Sequence, residues 1–352
     1  MRKHSLDGLR GFSILLVLAF HTFMPYTFGG FIGVDIFFVL SGFLITTLLF
    51  NEYETHNTIN LKHFYIRRFL RLAPALITVV LAFYLYTQLF TEGERQENAH
   101  MAVLGTLLYV ANLAAAYDWF AMSYLLPTWS LAIEEQFYFV WPLLFLLLLG
   151  HCKNQKHLIL AVSLIIIFLW INRAWLALND TPIDRLYFGS DTHSDGLFVG
   201  CLAALLTAHR HKFSSIINNC ILQKWKVLIP GLAICFYLAS TIALNKDIRS
   251  LYIWYFPLLE IVSAILICYL YLQKNSQTIF LLSNKYMVWL GSISYGLYLW
   301  HWLIFRILAE NGVTGIFIGL YGTILSILVA ALSFYLMEKP ILKMKPKTPS
   351  NR

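Results

Sequence analysis

Apolar runs of about 18 residues or more recur along the whole chain, and each can cross a hydrocarbon core of about 30 Å as a helix. They fall near 9–27, 31–50, 69–90, 127–149, 157–178, 193–209, 227–244, 251–272, 287–309 and 314–337. A further segment, 100–117, is weaker: Gly105 and Asn112 interrupt it, and Glu92, Glu94, Arg95 and Glu97 lead into it. The alternating short segments of a membrane β-barrel are absent from this pattern. It predicts an all-α polytopic transmembrane bundle of about ten spans over residues 1–340, followed by a short basic tail, 341–352.

Composition agrees with the pattern. The chain is 59% hydrophobic and 12% charged, where a soluble domain averages about 25% charged residues. The net charge of +8 comes from 26 Lys and Arg against 18 Asp and Glu. In a membrane protein such a surplus marks orientation, so nucleic acid is not implied. With ten spans and a cytoplasmic N-terminus, the short loops rich in Lys and Arg all face inward, and Arg95, Arg185, Lys246 and Arg249 remain outside. An eleventh crossing at 100–117 would reverse every later loop. Both termini are therefore expected in the cytoplasm, with 100–127 as a re-entrant or outer-surface element. The first run follows a basic start, but it carries Arg10 and His21 and has no small-residue cleavage site, so it is read as a retained span. Cys152, Cys201, Cys220, Cys235 and Cys268 show no CxxC spacing and no clustering with histidine, so neither disulfides nor a metal site is expected.

The ionisable residues inside the spans carry the candidate chemistry, because charge at membrane depth is costly and usually faces a cavity or a partner. Arg10 and His21 are eleven positions apart, which returns nearly to one helix face after a rise of about 16 Å. Taken alone, Arg10 also fits a snorkelling anchor and His21 an interhelical hydrogen bond. Arg68 and Arg71 are neighbours on a helical turn and suit a phosphate-bearing ligand arriving from the cytoplasm. Asp35 sits behind Gly29, Gly30 and Gly33 at the start of the second span, where it could orient His21 or cap a broken turn. Glu134 and Glu135 are adjacent on a helix, so at most one points into a central cavity. His193, Asp195, Tyr295 and His301 place further polar groups in the outer half of their spans, and Glu260 reads as a structural hydrogen-bonding group. Arginines thus gather toward the cytoplasm, and acids and histidines toward the outside. That polarity suits an anionic ligand taken from inside and a hydroxyl-rich ligand met outside.

At these motifs the chain resembles the bacterial membrane acyltransferase family 3, the integral-membrane O-acyltransferases that modify O-antigen, exopolysaccharide, peptidoglycan and other glycans. The match runs through Leu6-Asp-Gly-Leu-Arg10-Gly to His21, Gly33-Val-Asp35 with Ser41-Gly42, Arg68 and Arg71 with Pro74, Trp129-Ser-Leu with Glu134-Glu135-Gln136, Asp195-Gly196, Ser294-Tyr295 with His301, and Glu338 with Pro340. The resemblance implies a multi-pass protein of the bacterial inner membrane that passes an acetyl group from acetyl-CoA to a lipid-linked or polymeric surface glycan of the O-antigen or exopolysaccharide type. It implies that Arg10, Arg68 and Arg71 hold the donor. It makes His21 the general base, with Asp35 or Glu134 orienting it, or else an acyl carrier. Glu135, His193, Asp195, Tyr295 and His301 are left for the acceptor. Some family members carry an extracytoplasmic SGNH-type esterase domain; this chain resembles the stand-alone form. His193 stands where relatives often have Arg. Two other readings share the same spans: transfer of a different acyl group such as succinyl, and a transporter or flippase that moves its substrate unchanged.

Overall fold

A computed structural model describes residues 3–22, 26–152, 154–208, 228–272 and 282–344. Cys220, the basic loop 210–226 and the end of the predicted tail lie outside the described residues. Each of the ten predicted spans contains a helix, and no strand occurs among the described residues. The helices are α1 (His4–His21), α2 (Ile32–His56), α3 (Leu61–Phe90), α4 (Glu94–Leu107), α5 (Ala111–Tyr117), α6 (Thr128–His151), α7 (Gln155–Leu178), α8 (Ile183–Phe188), α9 (Ser190–His193), α10 (Asp195–Thr207), α11 (Leu228–Ala243), α12 (Phe256–Leu272), α13 (Lys285–Glu310), α14 (Ile316–Ser333) and α15 (Lys339–Leu342). This is the all-α membrane bundle the hydropathy pattern predicts.

Among the described residues, six helical stretches are long and apolar enough to cross a bilayer by length and composition, those built on α2, α3, α6, α7, α12 and α14. They divide by position. The α2 window is 72% buried, whereas those of α7 and α14 are 28% buried, so α2 runs through the centre and the other two face lipid. Helices packed among other helices can carry polar residues or run short, because neighbours rather than lipid surround them. That accounts for α1 with Asp7 and Arg10, and for α10 with 13 residues, ten of them buried.

Asparagine caps set the start of three helices. The Asn60, Asn154 and Asn284 side chains accept from the backbone N–H groups of His63, His157 and Tyr286 at 3.0, 3.1 and 2.9 Å, satisfying donors a helix start leaves open. Helices α1 and α13 run side by side in the same direction, in near backbone contact. A Cβ on Gly291 would lie 1.8 Å from the Asp7 carbonyl oxygen, and one on Gly11 would lie 2.2 Å from that of Met287. Small residues permit this approach and lock the register that later brings His21 to His301.

In the 91–126 region, α4 turns at residues 108–110 into the short α5. Thr106 Oγ1 lies 3.1 Å from Thr128 Oγ1 at the start of α6, and at the turn the Tyr109 carbonyl accepts from Gln136 Nε2 at 2.8 Å. Gln136 is about two turns into α6. It also donates to Asn112 Oδ1 at 2.9 Å and accepts from Ser190 Oγ at 2.6 Å, pinning the turn to α6 and α9.

Candidate functional site

Three arginines project into the middle of the bundle from two helices. Arg10 comes from α1, and Arg68 and Arg71 come from α3, one turn apart. Arg10 and Arg71 form part of the wall shared by two cavities. The larger, about 800 Å³, is also lined by His4, Asp7, Lys285, Trp289, Tyr335 and Lys339. The second, about 310 Å³, is lined by Arg67, Arg68, Ser41, Glu134 and Tyr138. A third pocket of about 40 Å³ continues from Arg10, Ser41 and Glu134 to Ser130 and Tyr298. Arg10 and Tyr295 line all three. The path is therefore wide at the arginine end and narrow at Tyr298, admitting a thin arm but not a nucleotide at its far end.

The local chemistry favours an anion in the wide part. The Arg68 guanidinium lies 3.5 Å from the centre of the Tyr138 ring, an electrostatic contact with the ring face. Ser41 donates to Glu134 Oε1 at 2.6 Å. Arg10 Nε and Arg68 Nε are buried with no hydrogen-bond partner among the described residues. Buried donors of this kind are costly unless something accepts from them, and guanidinium groups suit phosphate oxygens. The expected cationic site is thus brought together as read from the sequence, with Glu134 beside it. Glu134 points into the cavities and Glu135 does not, as adjacency on a helix requires.

At the other end of α1, His21 Nδ1 lies 2.9 Å from the Val17 carbonyl and 3.1 Å from His301 Nε2. His301 is fully buried, and its Nδ1 lies 2.6 Å from the Tyr298 carbonyl. A carbonyl can only accept, so in the neutral ring His301 carries its proton on Nδ1 and leaves Nε2 as an acceptor. His21 then carries its proton on Nδ1, shared between Val17 and His301. Its Nε2 keeps a lone pair, which is the state a general base needs. The two rings sit 4.8 Å apart, and the Trp302 ring lies edge-on to His21 at the same separation.

Several expectations are corrected here. Neither Asp35 nor Glu134 orients His21; His301 does. Asp35 is buried with Oδ1 2.8 Å from His193 Nε2, while His193 Nδ1 lies 2.6 Å from the Tyr187 carbonyl. The reason is helix order: α10 runs beside α2, and the short α9 that leads into it, not α1, presents the imidazole that meets Asp35. His193 and Asp195 are 2% and 1% exposed, so neither is placed to touch an acceptor. Asp195 Oδ2 pairs instead with Arg173 Nη1 at 2.6 Å. Tyr295 donates to the Leu72 carbonyl at 3.1 Å and belongs to the inner cavities. Glu135 lines none of the three cavities.

Arg173 is the residue the sequence reading missed. It is 1% exposed, lies 3.5 Å from Glu260 Oε1, and donates to the Tyr252 and Thr192 carbonyls at 3.0 Å each. With Trp170 Nε1 donating to Glu260 Oε2 at 2.9 Å, it ties α7, α10 and α12 together. The structural reading of Glu260 agrees with these bonds. The available signal was a single arginine inside an otherwise apolar span.

The class is thus a helical membrane protein with a buried cationic cavity that narrows to Tyr298, whose carbonyl meets the His301 partner of His21. The chain belongs to the acyltransferase family: a profile described as an acyltransferase domain matches residues 3–338. It is 32% identical over 358 residues to the peptidoglycan O-acetyltransferase OatA of Listeria monocytogenes, covering 96% of this chain and 56% of the relative. It is 32% identical over 348 residues to the O-acetyltransferase OatA of Staphylococcus aureus, covering 96% of this chain and 57% of the relative. The chain therefore spans little more than half the length of these curated relatives. No solved structure matches it with significance.

Proposed function

We propose that this protein is a membrane O-acetyltransferase that draws an acetyl group from acetyl-CoA at the arginine end and delivers it to a hydroxyl of a cell-envelope glycan at the His21 end. The observation that carries the reading is the set of buried guanidinium nitrogens without a partner among the described residues, on a cavity wall that narrows to Tyr298, whose carbonyl meets His301, the partner of His21. Arg10, Arg68 and Arg71 hold the phosphates of the donor, and its thioester arm extends through the narrow pocket toward Tyr298. The arginine end faces the cytoplasm of the bacterial inner membrane, where short basic loops remain. Peptidoglycan is the acceptor that the name of the Listeria relative supports; O-antigen or exopolysaccharide, expected from the resemblance alone, has no such support.

In the reaction, His21 Nε2 takes the proton of the acceptor hydroxyl as its oxygen attacks the thioester carbonyl carbon. The new C–O bond forms, the carbonyl oxygen bears the developing charge, and the C–S bond then breaks. The leaving thiolate recovers the proton from His21 Nε2–H. His301 Nε2 accepts from His21 Nδ1–H throughout, holding the ring in one tautomer. The bundle excludes water that would otherwise hydrolyse the thioester. Purified protein given labelled acetyl-CoA and a peptidoglycan disaccharide should form a base-labile ester, and His21→Ala should lower the rate by about 10²–10⁴-fold. Activity near wild type in His21→Ala would overturn the assignment.

A further inference from the structure

The side chains expected to meet the acceptor all turn inward, yet His21 has a neighbour that neither the motifs nor the cavities single out. Trp302 presents its ring edge-on to His21 with centroids 4.8 Å apart, and its Nε1–H donates to the Ser123 carbonyl at 3.2 Å, which fixes the ring. One turn further along α13, the Arg306 guanidinium lies 5.8 Å from the Trp302 ring and 5.9 Å from the Tyr124 ring. A turn beyond that, Glu310 lies 3.8 Å from Arg306 and accepts the Tyr124 hydroxyl. Positions 302, 306 and 310 share one face of α13 and span about 12 Å, close to the length of a disaccharide. Trp302 is half-buried, whereas the Arg306 side chain is 40% exposed and Glu310 22% exposed. The face therefore runs from the imidazole to the end of the bundle away from the arginine cavities.

We propose that this face of α13 is the acceptor subsite, taking two successive pyranose rings of a glycan strand. The proposal rests on the acetyltransferase reading above and names the surface that presents the hydroxyl to His21. One ring lays its C–H face on Trp302 beside His21; the next places its hydroxyls on the Arg306 guanidinium and the Glu310 carboxylate. An aromatic plane followed by a donor fork and a carboxylate matches the two faces of a sugar, apolar across the ring and polar around its rim. A tryptophan serving only as an interfacial anchor needs neither the imidazole contact nor the ion pair beyond it.

The test titrates a disaccharide of N-acetylglucosamine and N-acetylmuramic acid against protein in detergent with saturating labelled acetyl-CoA. Trp302→Leu should raise the acceptor KM about tenfold, the equivalent of about 1.4 kcal/mol. Trp302→Phe, which keeps an aromatic face, should stay within about threefold, and Arg306→Ala should raise KM about fivefold. Acetyl-CoA affinity, measured on the same samples, reports that each variant is folded. Unchanged acceptor KM in both Trp302→Leu and Arg306→Ala, with wild-type protein active, overturns this subsite and leaves the acetyltransferase reading standing. A loss of kcat in Trp302→Leu at unchanged KM also overturns it, assigning Trp302 to the packing of His21. Absence of ester with wild-type protein at every acceptor concentration overturns both.

Discussion

Replacing Arg173 by methionine removes a cation that faces two carboxylates within the bundle centre. Arg173 Nη1 stands 2.6 Å from Asp195 Oδ2 and 3.5 Å from Glu260 Oε1, and all three residues are 1% exposed. The variant strands both acids without water or counter-charge and breaks the bonds to the Tyr252 and Thr192 carbonyls. Breaking a buried pair by removing one partner costs about 3–5 kcal/mol, and the second acid puts Arg173→Met at the upper end of that range. The cost comes from the stranded charges more than from a lost attraction. A triple variant, Arg173→Met with Asp195→Asn and Glu260→Met, should therefore recover to within about 2 kcal/mol of wild type. Unfolding in mixed detergent and SDS micelles, followed by tryptophan fluorescence, measures these differences at a fixed SDS fraction. A loss below about 1 kcal/mol for Arg173→Met, or a triple variant no more stable than the single one, would refute the reasoning.

Two further perturbations separate the parts of the site. His301→Gln keeps an acceptor toward His21 Nδ1 and a donor toward the Tyr298 carbonyl, whereas His301→Phe keeps neither. The first should retain most of kcat and the second should lose about 10²-fold, both at unchanged acceptor KM; a raised acceptor KM in the phenylalanine variant would return His301 to acceptor binding. Arg68→Ala and Arg71→Ala should each weaken acetyl-CoA binding by about 10- to 100-fold, from about 1.5–3 kcal/mol per charged hydrogen bond, in equilibrium dialysis; unaltered affinity in both would remove the arginines from the donor site.

The bundle was legible because hydropathy reports burial in lipid directly, and each of the ten expected spans carries a helix. The arginine site was legible for a related reason. Arg10 and Arg71 are ionisable groups within apolar runs, and the positive-inside bias assigns them to one end. Pairing between helices was not legible. Asp35 and His21 face each other across a short hairpin in sequence, but the 3.6-residue period does not say which distant helix fills the space between α2 and its neighbours. In the fold, α9, at the head of α10, brings His193 there, 158 positions away. The contact of His301 with His21 was hidden for the same cause: the parallel packing of α1 against α13 depends on Gly11 and Gly291 meeting backbone to backbone. Arg173 escaped because one charge hardly changes the mean hydropathy of its span, which remains 2.1.

The central claim is that acyl transfer runs across the bundle, from the arginine end to His21. It is tested most directly in proteoliposomes of uniform orientation, with labelled acetyl-CoA on one face and the glycan disaccharide on the other. The account predicts ester on the acceptor when donor meets the arginine end and acceptor meets the His21 end, and none in His21→Ala. Ester formed only when donor and acceptor share one face would contradict it.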